Sequence, residues 1–168
     1  MAKPVLRHVE IWIPLIIVVL DQVTKAMVRA WLPLHESATA IPGFMDFTHV
    51  RNTGAAFGFL DAVHFPGKTA VLALVATVAL IGIGMYSAAL ASHQLLARVG
   101  LALVSGGAAG NLIDRLFVGS VVDFVDVYFG SWHFWTFNVA DSAITVGVII
   151  MLLDMLWPTG HPTSDHAD

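Results

Sequence analysis

From Ala70 to Leu90 the chain carries no charged side chain, and from Val99 to Ile113 it again carries none. Leu95 to Ala97 extend the second stretch backwards, and Phe137 to Trp157 holds only Asp141 and Asp154, one near each end. A helix of roughly 20 residues crosses a hydrocarbon core of about 30 Å, so each stretch can span a bilayer. Ile11 to Leu32 is a fourth candidate, apolar in its first half but marked by Asp21, Lys25 and Arg29 along one face. Only 12% of the chain is charged, about half the roughly 25% of soluble domains, and a soluble fold is excluded. The expected architecture is an all-α membrane protein with spans at about 11–32, 70–90, 95–115 and 137–157, in one domain covering 1–160. The His161 to Asp168 tail reads as disordered.

Lys3 and Arg7 ahead of an apolar run also fit a signal peptide, but Asp21-Gln22 follows Leu20 where a small-residue cleavage site is needed. A retained helix whose polar stripe faces protein is the better reading. Four spans put both termini on one side and the two larger loops, 33–68 and 116–136, on the other. Lys3, Arg7 and Arg98 on the terminal side, against Arg51 and Lys68 in the long loop, favour cytoplasmic termini. Trp31, Trp132, Trp135 and Trp157 fall near span ends, as interfacial anchors do. The long loop is more than linker. Phe44 to Val50 is rich in aromatic and β-branched residues behind a Pro42-Gly43 turn, which predicts a short sheet on the membrane surface.

Polar side chains inside spans are costly and mark candidate sites. Asn111, Asp114 and Arg115 share a face at the outer end of the third span, where Gly106 and Gly110 allow a neighbouring helix close approach. Asn138, Asp141 and Thr145 share a face at the outer start of the fourth. Asp114 beside Arg115 is read equally well as an interfacial ion pair, and Asp154 as a snorkelling group. Asp141 and Asp123, the latter within Val121-Val-Asp-Phe-Val125, have no adjacent base. Two such carboxylates at one interface are expensive unless they do chemistry. Brought close, they cannot both ionise readily, so one keeps a proton near neutral pH. The ionised member can activate water while the protonated member polarises a carbonyl, giving hydrolysis without a covalent intermediate.

Competing signatures are missing. There is no His-Glu-x-x-His, and zero cysteines exclude thiol catalysis and disulfides. Ser105 and Ser142 have no histidine at span depth. His35, His49, His64 and His133 could gather on the outer face, but in no recognisable ligand spacing, so neither metal nor cofactor is expected. A formal net charge of -4 gives no footprint for nucleic acid. The rival readings are a small carrier with aspartates as relay groups and an assembly subunit using the long loop as a binding surface.

Five ordered blocks carry a family resemblance: Asp21-Gln-Val-Thr-Lys25, Arg51-Asn-Thr-Gly-Ala-Ala-Phe57, Gly110-Asn-Leu-Ile-Asp-Arg115, Val121-Val-Asp-Phe124 and Phe137-Asn-Val-Ala-Asp-Ser142. With them the chain resembles the bacterial lipoprotein signal peptidase, or signal peptidase II, family of intramembrane aspartic peptidases. The resemblance implies four transmembrane helices with a small extracytoplasmic β-cradle. It implies cleavage of diacylglyceryl-modified prolipoproteins on the N-terminal side of the lipidated cysteine, with lipidated signal peptides and membrane lipids as partners. It implies a monomer in the bacterial cytoplasmic (inner) membrane, with its active site at the outer leaflet. Carried over motif by motif, Asp123 and Asp141 become the catalytic dyad. Asn52, Gly54, Asn111, Arg115 and Asn138 shape it and hold substrate, and Asp21 and Lys25 support it. Asp126 is a decoy three residues beyond Asp123. One departure is visible: Trp135-Thr136 stands where the family commonly has a proline.

Overall fold

The computed structural model of the chain describes residues 4–54, 63, 65–91 and 93–157. The predicted tail at 161–168 and His64 lie outside them. Among the described residues there are four long helices: α1 (Pro4–Trp31), α2 (Lys68–Ala89), α3 (Leu95–Phe117) and α4 (Val139–Leu156). Each is long and apolar enough to cross a membrane. Their outward faces are apolar side chains such as Leu74, Val78, Ile81 and Met85 of α2, all exposed. That is the surface expected where lipid tails replace water.

The predicted surface sheet is four-stranded and antiparallel, in the order β1 (Ser37–Ile41), β2 (Met45–Asn52), β3 (Val121–Phe129), β4 (Trp132–His133). The turn at 42–44 lies between β1 and β2, so the Pro42-Gly43 signal marked a hairpin and not only the start of one strand. Two features of β3 position the site. Residues 121–124 are buried in succession, so this end of the strand is covered on both faces. Phe137, just before α4, exchanges backbone hydrogen bonds with Val125 at 2.8 and 3.0 Å. The start of α4 is thereby sewn to β3.

Helix α3 is central and packs against each of the others. Two of its seams are closed by glycine. A side-chain carbon added at Gly106 would stand 2.9 Å from the Cα of Pro14, and one at Gly110 would stand 2.6 Å from an Asp21 carboxylate oxygen. On the opposite side, Gly107 meets the Ala140 carbonyl, and a carbon at Gly100 would come within 2.8 Å of the Gly147 carbonyl. The Gly106/Gly110 pair therefore receives α1, while Gly100, Gly107 and Gly147 seal α3 to α4. Without a hydrophobic driving force between helices in lipid, such backbone approach is the main source of packing energy. Helix α2 is held differently. At the end remote from the sheet, Ile83 and Leu90 join a cluster with Ala97, Leu101 and Met151. Glu10 there takes the Arg98 guanidinium and, at 2.9 Å, the Ser87 hydroxyl.

Gly107→Ala should cost about 1–3 kcal/mol through overpacking, whereas Gly84→Ala, with nothing within 4 Å of the added carbon, should fall within about 0.5 kcal/mol of the parent. Thermal unfolding of the two purified variants in detergent checks the pair.

Candidate active site

At the sheet end of the bundle a lysine is fully buried. The side chains of Lys25, Asp21 and Asp114 are fully inaccessible, and the Lys25 ammonium lies 2.8 Å from Asp21 and 3.0 Å from Asp114. Its third hydrogen goes to Asn111 Oδ1 at 2.9 Å. An ammonium has three donors and no acceptor, so Lys25 is fully satisfied. Both carboxylates are also shared outward. Asp21 Oδ1 accepts the backbone N–H of Ala140 at 3.0 Å, one of the donors that the first turn of α4 cannot satisfy within itself. Asp114 Oδ2 accepts the N–H of Val122 at 3.1 Å. The Gln22 amide bonds to Asp21 and Asp114, each at 3.2 Å. One ion cluster thus grips β3 one residue before Asp123, and α4 one residue before Asp141.

Asp114 therefore pairs with Lys25 and not with the adjacent Arg115. Sequence neighbours on a helix point about 100° apart, and the true partner lies on another helix. Arg115 instead donates to the carbonyls of Asn111 at 3.2 Å and Gly54 at 2.8 Å, tying the long loop to α3.

Three asparagines aim donors at Asp123 and Asp141. Asn111 Oδ1 must face Lys25, which only donates, so its Nδ2 is turned to Asp141 Oδ1 at 2.8 Å. Asn138 Oδ1 accepts the Asp141 N–H at 2.9 Å, which turns its Nδ2 to Asp123 Oδ1 at 2.7 Å. Asn52 Oδ1 accepts the Gly54 N–H at 2.8 Å, leaving Nδ2 to reach Asp123 Oδ2 at 3.0 Å. In each case a neighbour of unambiguous polarity fixes the amide. The Asn138 contact is also local folding chemistry. Asn138 caps α4, and the Asp141 carboxylate returns to the Asn138 N–H at 3.3 Å, a reciprocal capping box.

Register completes the arrangement. Asn52 stands opposite Val121, so Asn52 and Asp123 are diagonal neighbours on one face. Asp126, three residues further along β3, meets His133 at 2.9 Å instead. The nine residues singled out from the sequence (Asp21, Lys25, Asn52, Gly54, Asn111, Arg115, Asn138, Asp123 and Asp141) form one connected network. Two described histidines point elsewhere: His49 bonds the Leu32 carbonyl at 2.8 Å and His133 bonds Asp126. Asp114 and Gln22 were missed as site residues, although both stand inside quoted motifs.

Neither Asp123 nor Asp141 has a salt bridge among the described residues. The Asp123 carboxyl is pushed up to about 7, first by burial and then by the negative charge of Asp141, against the donors Asn52 and Asn138 and the charge of Lys25. Such a pair can hold one proton near neutrality and present one base and one acid to a substrate.

The family profile and the curated relatives agree on a single family. The family profile described as "Signal peptidase (SPase) II" matches residues 13–157. A "Lipoprotein signal peptidase" of Desulforapulum autotrophicum is 46% identical over 144 residues, covering 84% of this chain and 88% of the relative. One of Solibacter usitatus is 41% identical over 158 residues, covering 92% and 94%. A bacterial membrane enzyme structure obtained by the in meso method at 2.3 Å superposes with a TM-score of 0.82 at 33% identity, covering 95% of this chain and 94% of that one.

Lys25→Met would strand two buried carboxylates and should cost about 3–5 kcal/mol. Arg29→Gln, which removes a partly exposed guanidinium 3.8 Å from Asp114, should cost no more than about 1 kcal/mol. Thermal unfolding of both proteins in micelles measures the difference.

Proposed function

The chain belongs to the signal peptidase II family, and from that premise we propose that Asp123 and Asp141 are the aspartates with which this membrane protease cleaves lipoprotein precursors. The observation that carries the assignment is the convergence of Asp123 and Asp141 without a salt bridge among the described residues, each held by an oriented asparagine amide. The substrate is a diacylglyceryl-modified prolipoprotein, cut on the N-terminal side of its lipidated cysteine. The protein is multi-pass, and we place it in the bacterial inner membrane as a monomer, with cytoplasmic termini and the sheet at the outer leaflet. The asymmetry of Lys3, Arg7 and Arg98 supports that orientation.

In the mechanism, the ionised aspartate takes a proton from water as the oxygen attacks the scissile carbonyl. The protonated aspartate donates to the carbonyl oxygen, where charge develops. Collapse of the tetrahedral intermediate breaks the C–N bond: one hydroxyl returns its proton to the aspartate that gave it, and the leaving amine takes the proton the other aspartate drew from water, which restores the singly protonated dyad. The asparagines hold the two carboxylates in place, and the Lys25 cluster holds the segments that carry them. A carrier would spread polar groups across the full membrane depth. Here the network of Asp21, Lys25, Asn111, Asp114 and Asp141 gathers at the sheet end, which favours hydrolysis.

Purified protein should cleave a diacylglyceryl-modified precursor and leave its unlipidated counterpart intact. Asp123→Asn and Asp141→Asn should each reduce turnover by at least about 10³-fold, in line with loss of an acid–base group, while remaining folded. Asp126→Asn should keep most of its activity, and an inactive Asp126→Asn beside an active Asp123→Asn would move the assignment to Asp126.

With Asp123 at about 7, the rate should fall as the pH rises past that value and the dyad loses its shared proton. The Asn52 N–H stabilises the charged form of Asp123, so deleting it raises the pKa. Asn52→Ala should therefore move the alkaline limb to higher pH, read from pH–rate profiles of the two proteins.

A further inference from the structure

Resting on the peptidase reading above, the dyad must hold one shared proton, and the charges buried around it decide how many protons it holds. In the Lys25 cluster hydrogen bonding is complete but charge is not balanced, because Asp21 and Asp114 share a single ammonium. One asparagine away, Asp123 and Asp141 add two more carboxylates. An unmatched charge at low dielectric is removed by taking up or releasing a proton. The positive charges that reach this end of the bundle therefore matter beyond the contacts they make.

Arg115 is one of them, within Coulombic reach of Asp123, Asp141 and Asp114. Arg29 is the other. It stands one turn beyond Lys25 on α1, half-buried, with Nη1 3.8 Å from Asp114 Oδ1. The neutral Gln22 amide takes the nearer place at that oxygen, at 3.2 Å. Arg29 Nη1 is itself buried and makes no hydrogen bond among the described residues, so it meets the cluster through charge and not through a fixed bond. Lys25, Arg115 and Arg29 set against Asp21, Asp114, Asp123 and Asp141 reach neutrality when one proton is bound. That proton goes to the dyad, because Asp21 and Asp114 each touch Lys25 whereas Asp123 and Asp141 have no salt bridge among the described residues. The other ionisable groups on the packed elements have contacts of their own or face solvent. Asp126 pairs with His133, Asp46 accepts the Tyr128 hydroxyl, and His49 bonds the Leu32 carbonyl. Lys68 donates to the Thr53 hydroxyl and the Val63 carbonyl, and Glu36 and Arg51 are exposed.

We propose that Arg29 is a positioning residue for the proton of the dyad: its charge, acting from behind Asp114, holds Asp123 and Asp141 at one shared proton near neutral pH. Without it, neutrality requires a second proton. The dyad then keeps its shared proton to higher pH and also accepts the second one at higher pH. Both limbs of the bell-shaped rate profile move in the alkaline direction, while the asparagines and the two carboxylates stay where they are.

The test is the pH profile of kcat/KM for a dipalmitoylglyceryl-cysteine lipopeptide at constant ionic strength. An opposite charge in contact shifts a carboxylate by about 1–3 pH units. Arg29 acts from behind Asp114, so Arg29→Gln should move both limbs up by about 0.5–1 pH unit, with the rate at its own optimum near wild type. Arg29→Lys should return both limbs to the wild-type position, because the effect needs charge and not guanidinium geometry. The chain has no cysteine, which permits a chemical version of the same comparison. Arg29→Cys alkylated to a neutral amide should behave as Arg29→Gln, and the same variant aminoethylated should behave as wild type; this pair decides if Arg29→Gln does not fold. Arg51→Gln, which removes an exposed arginine from β2, should leave the profile in place. Limbs that stay put, move to lower pH, or move equally in Arg51→Gln would overturn the role of Arg29. A rate lowered at every pH with unmoved limbs would overturn it too, since that marks a structural contact only. Absence of cleavage by the wild-type protein at any pH would overturn the peptidase reading itself.

Discussion

The Lys25 ammonium, buried between Asp21 and Asp114 with no exposed atom, is the contact on which the sheet end of the molecule depends. Burying three charges costs several kcal/mol per ion unless every one is matched. Here the matching is complete and extends beyond the ions. Asp21 terminates α4 by accepting the Ala140 N–H, and Asp114 fixes β3 by accepting the Val122 N–H. The cluster is therefore a structural joint between two helices and the two segments that bear Asp123 and Asp141.

The joint also transmits polarity. Because Lys25 can only donate, Asn111 must turn its carbonyl toward α1 and its N–H toward Asp141. Asn138 and Asn52 are oriented in the same manner by backbone N–H groups. Asp123 and Asp141 thus receive amide donors instead of cations. A lysine or arginine in direct contact would hold both carboxylates ionised, and the shared proton on which the proposed mechanism depends would be lost. Keeping the cation one amide away stabilises the architecture while leaving Asp123 near 7.

Much of this was legible in the chain. The charge-free stretches announced the helices, and the rarity of charge made Asp123 and Asp141 conspicuous. Gly106 and Gly110 foretold a close helix contact, although not that α1 would fill it. Other features were hidden for definite reasons. Residues 121–124 are buried in succession, which erases the alternation by which a strand's faces are usually told apart. Lys68 belongs by sequence to a loop yet opens α2, buried against the Thr53 hydroxyl at 2.9 Å. Asn-x-x-Asp at 138–141 is a capping box, a local signal readable before any fold is known, and it went unread beside the stronger functional motif.

The sequence by itself determined the membrane-spanning class, the span positions and the residue types able to hydrolyse a peptide bond. Those properties follow from local transfer free energies and from the chemistry of single side chains. Only the tertiary structure decided which charges are partners. Lys25 joins Asp114 across 89 positions of chain, while Arg115, the immediate neighbour of Asp114, turns to the Gly54 carbonyl. In a medium without water, ion pairing goes to the group with which every donor and acceptor can be satisfied at once, and proximity along the chain has no say in that.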